Sequence, residues 1–285
     1  MPGMLSKSYK KLKALGAADL KSVAVGQTLL AMMQQGWDFL WNECRARTMR
    51  SDVAGKEYIA FAHGERVSRP INSRLYANAP SALALAEQFV KSPTSLAATE
   101  ATGAAYTIAL SVLAANDVHG VGRKASANFF EVLIGHMVAA AIGVNPRTKV
   151  KMPEDPKVLL PTDYVFDIGP NAPKIHLPIK TSTRERAVQA WVHQLVLERI
   201  FGADVYRGML VVIGETKRDT RTDAVIEICI PNQLRLFQSR IVKLDRLYYL
   251  DPPAPYLALS TARPTPVDVR PFGDFFAELK RLIAP

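Results

Sequence analysis

Residues 160–200, LPTDYVFDIGPNAPKIHLPIKTSTRERAVQAWVHQLVLERI, place strand, turn and helix signals side by side in one short run. Short extended stretches at 161–168 and 174–180 are separated by Gly, Asn and Pro, and a similar stretch precedes them at 148–152, which is typical of consecutive antiparallel strands. An amphipathic helix should follow. Its apolar residues recur at helical spacing: Val188, Trp191, Val192, Leu195 and Val196.

The flanking segments extend this pattern into a sheet that is covered by helices. Residues 125–143, ASANFFEVLIGHMVAAAIG, are nearly all apolar and predict a buried helix that ends at Gly143. Residues 208–214, GMLVVIG, are typical of a buried parallel strand. The order helix, three strands, helix, strand predicts an α/β fold, with a mixed sheet flanked by helices.

The remaining segments divide into a mainly helical N-terminal region and a mixed C-terminal one. Helical periodicity covers 17–47, residues 51–80 read as irregular, and two Ala-rich helices are expected at 81–91 and 94–116. Strands at 224–230 and 244–250, a helix at 232–241 and a closing helix at 272–283 are predicted after the central run. We therefore expect a helical region over 1–120, for dimerisation or DNA contact, and a catalytic domain over 121–285.

The composition favours a folded protein that binds a polyanion. The chain has 285 residues, of which 48% are hydrophobic and 22% are charged, and its formal net charge is +10. Cys44 and Cys229 lie far apart, which supports neither a disulfide framework nor a zinc site. No secretory signal or stretch long enough to span a bilayer is recognised, so a cytoplasmic protein without membrane contact is expected.

Two aspartates and a lysine are the strongest candidates for chemistry in the central run. On a strand, Asp163 and Asp167 point to the same face, and Lys180 ends a neighbouring strand. A hairpin would bring carboxylates and ammonium together, where divalent cations could be held and a phosphodiester attacked. An ordinary Asp–Lys pair at a sheet edge is the alternative.

The start of the following helix carries two arginines that oppose the helix dipole. Ser182 and Glu185 form a capping box, which by itself accounts for Glu185. Arg184 and Arg186 have no such explanation and suggest phosphate or guanine contacts, while Glu185 could also accept from cytosine. His193 lies on the same polar face and could be directed at the site, or could be a surface residue.

Glu131 stands out because it interrupts the apolar run 125–143. A carboxylate in such surroundings is rarely left without a partner or a metal, so Glu131 is a candidate functional acid. A partly exposed position at the helix edge is the alternative.

Together these residues resemble the PD-(D/E)xK nucleases, and more narrowly the type II restriction endonucleases that cut CCGG or CCNGG cores, of the EcoRII-like kind. The shared features are the Asp163 to Lys180 hairpin, the run KTSTRER from Lys180, and the upstream run NFFEVLIG that contains Glu131. In that subgroup the second carboxylate has moved from the strand into the helix. The usual strand position here is Pro178, and the helix position falls on His193.

The resemblance implies a Mg²⁺-dependent, sequence-specific double-stranded DNA endonuclease that works as a homodimer. It implies metal ligation by Asp163 and Glu131, with Asp167 or His193 to complete the site, and catalysis by Asp163, Lys180, Glu131 and His193. It assigns base reading to Arg184, Glu185, Arg186 and Gln189. The alternatives are a DNA-binding protein that has lost catalysis on a nuclease fold, since Pro178 and His193 replace carboxylates, and a structure-specific junction or repair nuclease.

Overall fold

Long helices precede and flank short strands in this chain. The computed structural model describes residues 2–77, 79–155, 157–184, 187–264 and 266–284. The longer helices are α1 (Pro2–Ala18), α2 (Val23–Glu43), α3 (Ala79–Lys91), α4 (Ala98–His119), α5 (Arg123–Ile142), α6 (Ala187–Phe201) and α7 (Pro231–Arg240). Shorter ones are α8 (Ala254–Leu257), α9 (Asp274–Ala277) and α10 (Leu279–Leu282). The strands are β1 (Arg45–Ser51), β2 (Tyr58–His63), β3 (Arg66–Val67), β4 (Ile71–Asn72), β5 (Arg147–Lys151), β6 (Leu159–Phe166), β7 (Lys174–Leu177), β8 (Ile179–Lys180), β9 (Tyr206–Val212), β10 (Thr216–Arg218), β11 (Ala224–Glu227), β12 (Arg246–Tyr249) and β13 (Val269–Pro271).

A mixed sheet forms the centre of the fold. Its order is β13-β12-β9-β7-β6-β5, and β8 also pairs with β9. The β5–β6 and β6–β7 pairs are antiparallel, whereas β7, β8 and β12 all run parallel to β9. Between α5 and β9 the chain follows the order expected from its pattern, and the predicted α/β fold with a mixed sheet flanked by helices is confirmed.

Strand β9 separates two hydrophobic cores because its side chains alternate between the two faces of the sheet. Met209 and Val211 belong to the large core that holds α2, α4 and α5. Leu210 and Val212 belong to a second core with Trp191 of α6 and residues of α7 and α8. Helices therefore cover both faces, which is the arrangement that buries a parallel strand of continuous apolar residues.

Helix α5 packs directly on β6 at a glycine. An added Cβ on Gly135 would lie only 2.3 Å from Cε2 of Tyr164, so only glycine permits this approach. Gly143 ends the helix in the left-handed conformation at φ 81°, as the sequence predicts. Residues 124–142 are long and apolar enough to cross a membrane, but their buried side chains belong to the large core, and a soluble core helix passes the same test.

A second sheet was missed by the sequence interpretation. Its order is β10-β11-β1-β2-β3, with β4 paired to β2. The predicted helix over 17–47 is wrong at both ends: Ser22 caps a new helix after a break, and the chain turns extended at Cys44 to enter β1. The supposedly irregular residues 51–80 contain β2, β3 and β4, and β1 pairs parallel with the distant β11.

The helical region and the sheet share one core. Residues of α1 to α5 and of the main sheet belong to the same large cluster. This hydrophobic packing continues across residue 120. The expected division there, between a helical region and a catalytic domain, therefore remains a prediction about function.

Two details of the later segments also differ from expectation. The single closing helix over 272–283 is instead the pair α9 and α10. Helix α6 turns a different face to the sheet: Val188 and Val192 are 40% and 42% exposed. Gln194 instead packs closely on Gly208, where an added Cβ would lie 2.8 Å from its Oε1. The residues of α6 that are buried are Ala187, Ala190, Trp191, Gln194 and Leu197.

Candidate active site

Asp163 and Lys180 meet at the end of the antiparallel part of the main sheet. The Lys180 Nζ donates to Asp163 Oδ2 at 2.6 Å, and the Ile179 N–H donates to the same oxygen at 2.7 Å. Both side chains are about one quarter exposed, so this ion pair faces solvent on one side. The expected proximity of the aspartate and the lysine is thus present in the structure.

Pro178 produces this geometry because it interrupts the strand between β7 and β8. Proline has no N–H to donate to a ladder, but its carbonyl accepts from the Val211 N–H at 3.0 Å. The chain therefore stays attached to β9 while it leaves β6, whose paired register ends at Tyr164 with Leu177. The Ile179 N–H is left without a strand partner on that side, and the Asp163 carboxylate accepts it instead.

Glu131 comes close to this pair from α5. It lies one helical turn before Gly135, so the close approach of α5 to β6 carries its carboxylate toward Asp163. The pKa of Glu131 is raised to about 7, first by burial and then by the Asp163 charge, while the Lys180 ammonium acts in the opposite direction. Within the part of the chain that the structure describes, Glu131 makes no hydrogen bond or ion pair.

A cleft of about 140 Å³ opens beside the Asp163–Lys180 pair. His193 of α6 is half-buried there, and burial lowers its pKa, an effect that Asp163 opposes and Lys180 reinforces. Gln189 lies one turn earlier, with its Nε2 3.4 Å from Nε2 of His193. Residues lining the cleft include Asp163, His176, Pro178, Lys180, Gln189 and His193.

His176 is a residue of this cleft that the sequence interpretation overlooked. Its ring is fully buried, and its Nδ1 lies 3.0 Å from Oε1 of Gln194, which makes Nδ1 the protonated nitrogen. Burial lowers the pKa of His176 to about 4, so the ring is neutral. Its Nε2 is buried with no partner among the described residues. Strand alternation from Lys180 through Pro178 could have pointed to it.

Asp167 lies away from this cluster. Its Oδ2 is 3.3 Å from Nζ of Lys174 and 3.9 Å from Nη2 of Arg147, at the other end of the β6–β7 pair. Four residues along a strand correspond to about 13 Å. A second Asp–Lys pair, Asp167–Lys174, therefore lies at the far ends of β6 and β7, whereas the Asp163–Lys180 pair adjoins Glu131 and the cleft.

The segment between Lys180 and α6 carries the predicted base readers. Arg184 is exposed, and its Nη1 donates to the Thr216 carbonyl at 3.4 Å. Glu185 and Arg186 lie outside the described residues. Gln189 is in the cleft, nearer to His193 than to Arg184 along the helix. Of the four predicted base readers, the structure thus places Arg184 next to β10 of the second sheet and Gln189 beside the catalytic candidates.

The donor set suits a hard divalent cation better than a soft one. Two carboxylates, Asp163 and Glu131, repel each other, and Glu131 makes no hydrogen bond or ion pair in the described chain. Oxygen donors of this kind fit Mg²⁺, which commonly keeps several waters and binds through one or two carboxylates and substrate phosphates. Across the described residues, no three His, Cys, Asp or Glu side chains converge into a complete metal site.

The mixed sheet and its flanking helices form a restriction-endonuclease-like fold. A solved structure with this fold, the Type IIP restriction endonuclease Kpn2I, is similar to the chain with a TM-score of 0.82 and 23% sequence identity. The similarity covers 98% of this chain and 97% of that one. No family model matches the sequence, and no curated protein matches it either.

Proposed function

We propose that this protein is a Mg²⁺-dependent endonuclease that cuts double-stranded DNA at a CCGG-like core. The observation that carries the proposal is the Asp163–Lys180 pair, with its 2.6 Å contact, beside the unpartnered Glu131 carboxylate. The net charge of +10 suits a polyanionic substrate, and the matching solved structure is a type IIP restriction endonuclease. A cytoplasmic location is part of the proposal.

Each residue of the cluster has a distinct chemical role. Asp163 and Glu131 would hold the cation, and Lys180 would orient the attacking water and stabilise negative charge on the phosphate. When bound, Mg²⁺ supplies Lewis-acid activation of the phosphodiester and of that water. The resemblance to the EcoRII-like enzymes implies a carboxylate at the position of His193, and as a half-buried imidazole His193 would bind the water or the phosphate through a ring nitrogen.

Two copies of the chain are proposed to act together, because a two-fold symmetric DNA site is matched by a two-fold protein dimer. Support for a protein contact comes from α6, which exposes a row of apolar side chains on the helix that follows Arg184. Their exposed fractions are 40% for Val188, 42% for Val192 and 37% for Ile200. Exposed apolar rows of this kind commonly mark protein interfaces.

A plasmid digest tests the cleavage itself. Purified protein with Mg²⁺ should convert a CCGG-rich plasmid into fragments with uniform ends, and sequencing those ends gives the recognition site and the cut position. Lys180→Ala should abolish cleavage and retain binding to the same duplex.

The second Asp–Lys pair provides matched controls. Lys174→Ala and Asp167→Asn remove the same kinds of side chain at the other end of the β6–β7 pair, away from the cleft. They should leave cleavage largely intact, whereas Asp163→Asn should abolish it. If Asp167→Asn were as damaging as Asp163→Asn, Asp167 would join the metal ligands.

Other outcomes would support the competing functions. Sequence-specific binding without cleavage, unchanged by Lys180→Ala, would indicate a DNA-binding protein that has lost catalysis. Cleavage of a branched duplex in preference to every linear one would indicate a junction or repair nuclease. An intact plasmid across pH and salt would refute the proposal.

A further inference from the structure

The bend between Lys180 and α6 is attached through one buried residue to the connection between β9 and β10. Thr183 is 1% exposed, whereas its neighbours Thr181 and Arg184 are exposed. The Thr183 N–H donates to Oε1 of Glu215 at 2.8 Å, and the Thr183 hydroxyl donates to the same oxygen at 2.7 Å. Glu215 thus holds both the backbone and the side chain of one residue.

Glu215 is itself fully buried just beyond β9. Its Oε1 accepts a third hydrogen bond from the Tyr249 hydroxyl at 3.1 Å, and its Oε2 has no partner among the described residues. Burial raises the pKa of Glu215 to about 7 against the effect of these donors. Burying a carboxyl group costs free energy unless hydrogen bonds compensate for it. A buried carboxyl group that is kept at such a place is therefore expected to have a structural or functional role.

The hydrogen bonds form a directed chain that ends at Glu215. The Ile230 N–H donates to the Tyr256 hydroxyl at 2.8 Å, and the Tyr256 oxygen lies 3.1 Å from Oγ1 of Thr183. Because the Thr183 hydroxyl already donates to Glu215, Tyr256 must donate to Thr183. Hydrogen bonds arranged in this head-to-tail way polarise and strengthen one another.

The first residue of β10 also contacts Arg184 through the Arg184 guanidinium. Its Nη1 donates to the carbonyl of Thr216, the residue after Glu215, and its positive charge lowers the pKa of Glu215. Glu215 and Thr216 thus hold two consecutive residues, Thr183 and Arg184. Lys180 is fixed separately by Asp163 and by the pairing of β8 with β9.

We propose that Glu215 is a positioning residue for DNA recognition, which fixes the bend at Thr183 so that Arg184 meets the base edges in a set orientation. This inference rests on the proposed function. The buried carboxyl group of Glu215 would fix the orientation of Arg184 relative to Lys180 at the end of β8. Loss of Glu215 should therefore harm discrimination between sequences more than affinity for DNA in general, because phosphate contacts do not need this orientation.

Three variants separate positioning from folding. Glu215→Ala removes the acceptor, Glu215→Gln keeps a carbonyl oxygen for the same three donors, and Thr183→Val removes only the hydroxyl link. Binding is measured without Mg²⁺, by fluorescence anisotropy, on the duplex identified by the plasmid digest and on duplexes that differ from it by one base pair. Thermal unfolding of each variant is recorded alongside.

Glu215→Ala should reduce the ratio of matched to mismatched affinity about 10-fold, since one bidentate base contact provides discrimination of that order. Thr183→Val should lower the ratio in the same direction, and Glu215→Gln should restore most of it. Equal loss of affinity for all duplexes, or an unchanged ratio in a folded Glu215→Ala protein, would overturn the proposal.

Hydrogen exchange in the free protein provides a test that does not depend on DNA. The Thr183 amide should exchange slowly in the wild-type protein and in Glu215→Gln, and faster in Glu215→Ala. Unchanged exchange at Thr183 would refute the attachment whatever the DNA experiments give. Faster exchange, together with a wild-type protein that neither binds nor cuts DNA selectively, would instead refute the proposed function.

Discussion

Replacing Glu131 with glutamine should stabilise the metal-free protein above pH 7 while strongly weakening its stabilisation by Mg²⁺. The pKa of Glu131 is about 7 in the folded protein instead of the usual 4.5, because burial and then Asp163 disfavour its charged form. The folded state therefore binds this proton more tightly than the unfolded chain. The stability that results is complete below pH 4.5 and is lost as the pH rises through 7.

The magnitude follows from the difference between 4.5 and 7. At about 1.36 kcal/mol per pH unit, the ceiling is about 3 kcal/mol. The side chain is partly exposed, so solvent screening reduces this, and we expect Glu131→Gln to be about 1 to 2 kcal/mol more stable than the wild type at pH 8. At pH 4.5 and below, where Glu131 is protonated in the folded protein, the two should unfold with nearly equal free energy.

Urea unfolding between pH 4.5 and 8, with EDTA or with Mg²⁺, measures both effects. Mg²⁺ should stabilise the wild type by about 2.7 kcal/mol at a concentration 100 times its Kd, and should stabilise Glu131→Gln far less. Glu87→Gln, which alters an exposed glutamate of α3, serves as the control. A stability difference that is the same at every pH, or equal stabilisation of both proteins by Mg²⁺, would refute the reasoning.

Three further predictions concern the DNA and the partner protomer. Arg184→Ala should cost about 1 to 3 kcal/mol of binding to the cognate duplex and relax specificity at one base pair, as measured by competition with altered duplexes. Helix α1 has no acidic residue. If its lysines contact phosphates, the slope of log affinity against log salt should fall by about 1 in each of Lys10→Ala and Lys11→Ala. The control Lys280→Ala, which alters an exposed lysine, should leave that slope unchanged. Val192→Asp should shift sedimentation toward a monomer without unfolding the protein; an unchanged oligomeric state would exclude this face of α6 from the interface.

The central run was predictable because its signals are local. The period change after Lys180, the glycine that ends α5 and the strand breaks around 170 each depend on neighbours in the sequence. The second sheet was not predictable in this way, because β1 pairs with β11 and Arg47 contacts Asp223 across 176 positions. The basic, only partly alternating strand β1 carries no local sign of that partner.

The choice between Asp163 and Asp167 shows where sequence reasoning stops at the site. Strand alternation puts both carboxylates on one face, and a lysine accompanies each of them. What separates them is the point at which α5 crosses β6, and that point is set by the contact between Gly135 and Tyr164. Likewise, Thr183 and Glu215 lie 32 positions apart, so only the folded chain reveals their hydrogen bonds.

The long-range pairing of β1 has a consequence for synthesis on the ribosome. At about 5 to 20 residues per second, the 176 positions from Arg47 to Asp223 take about 9 to 35 s to translate. During that interval β1 can pair with β2, but its other edge stays open to the strands of other nascent chains. Arg45, Arg47 and Arg50 lie along this strand. Positive charges on an open strand edge discourage pairing with strands of other chains. These arginines would therefore protect the incompletely synthesised protein from aggregation.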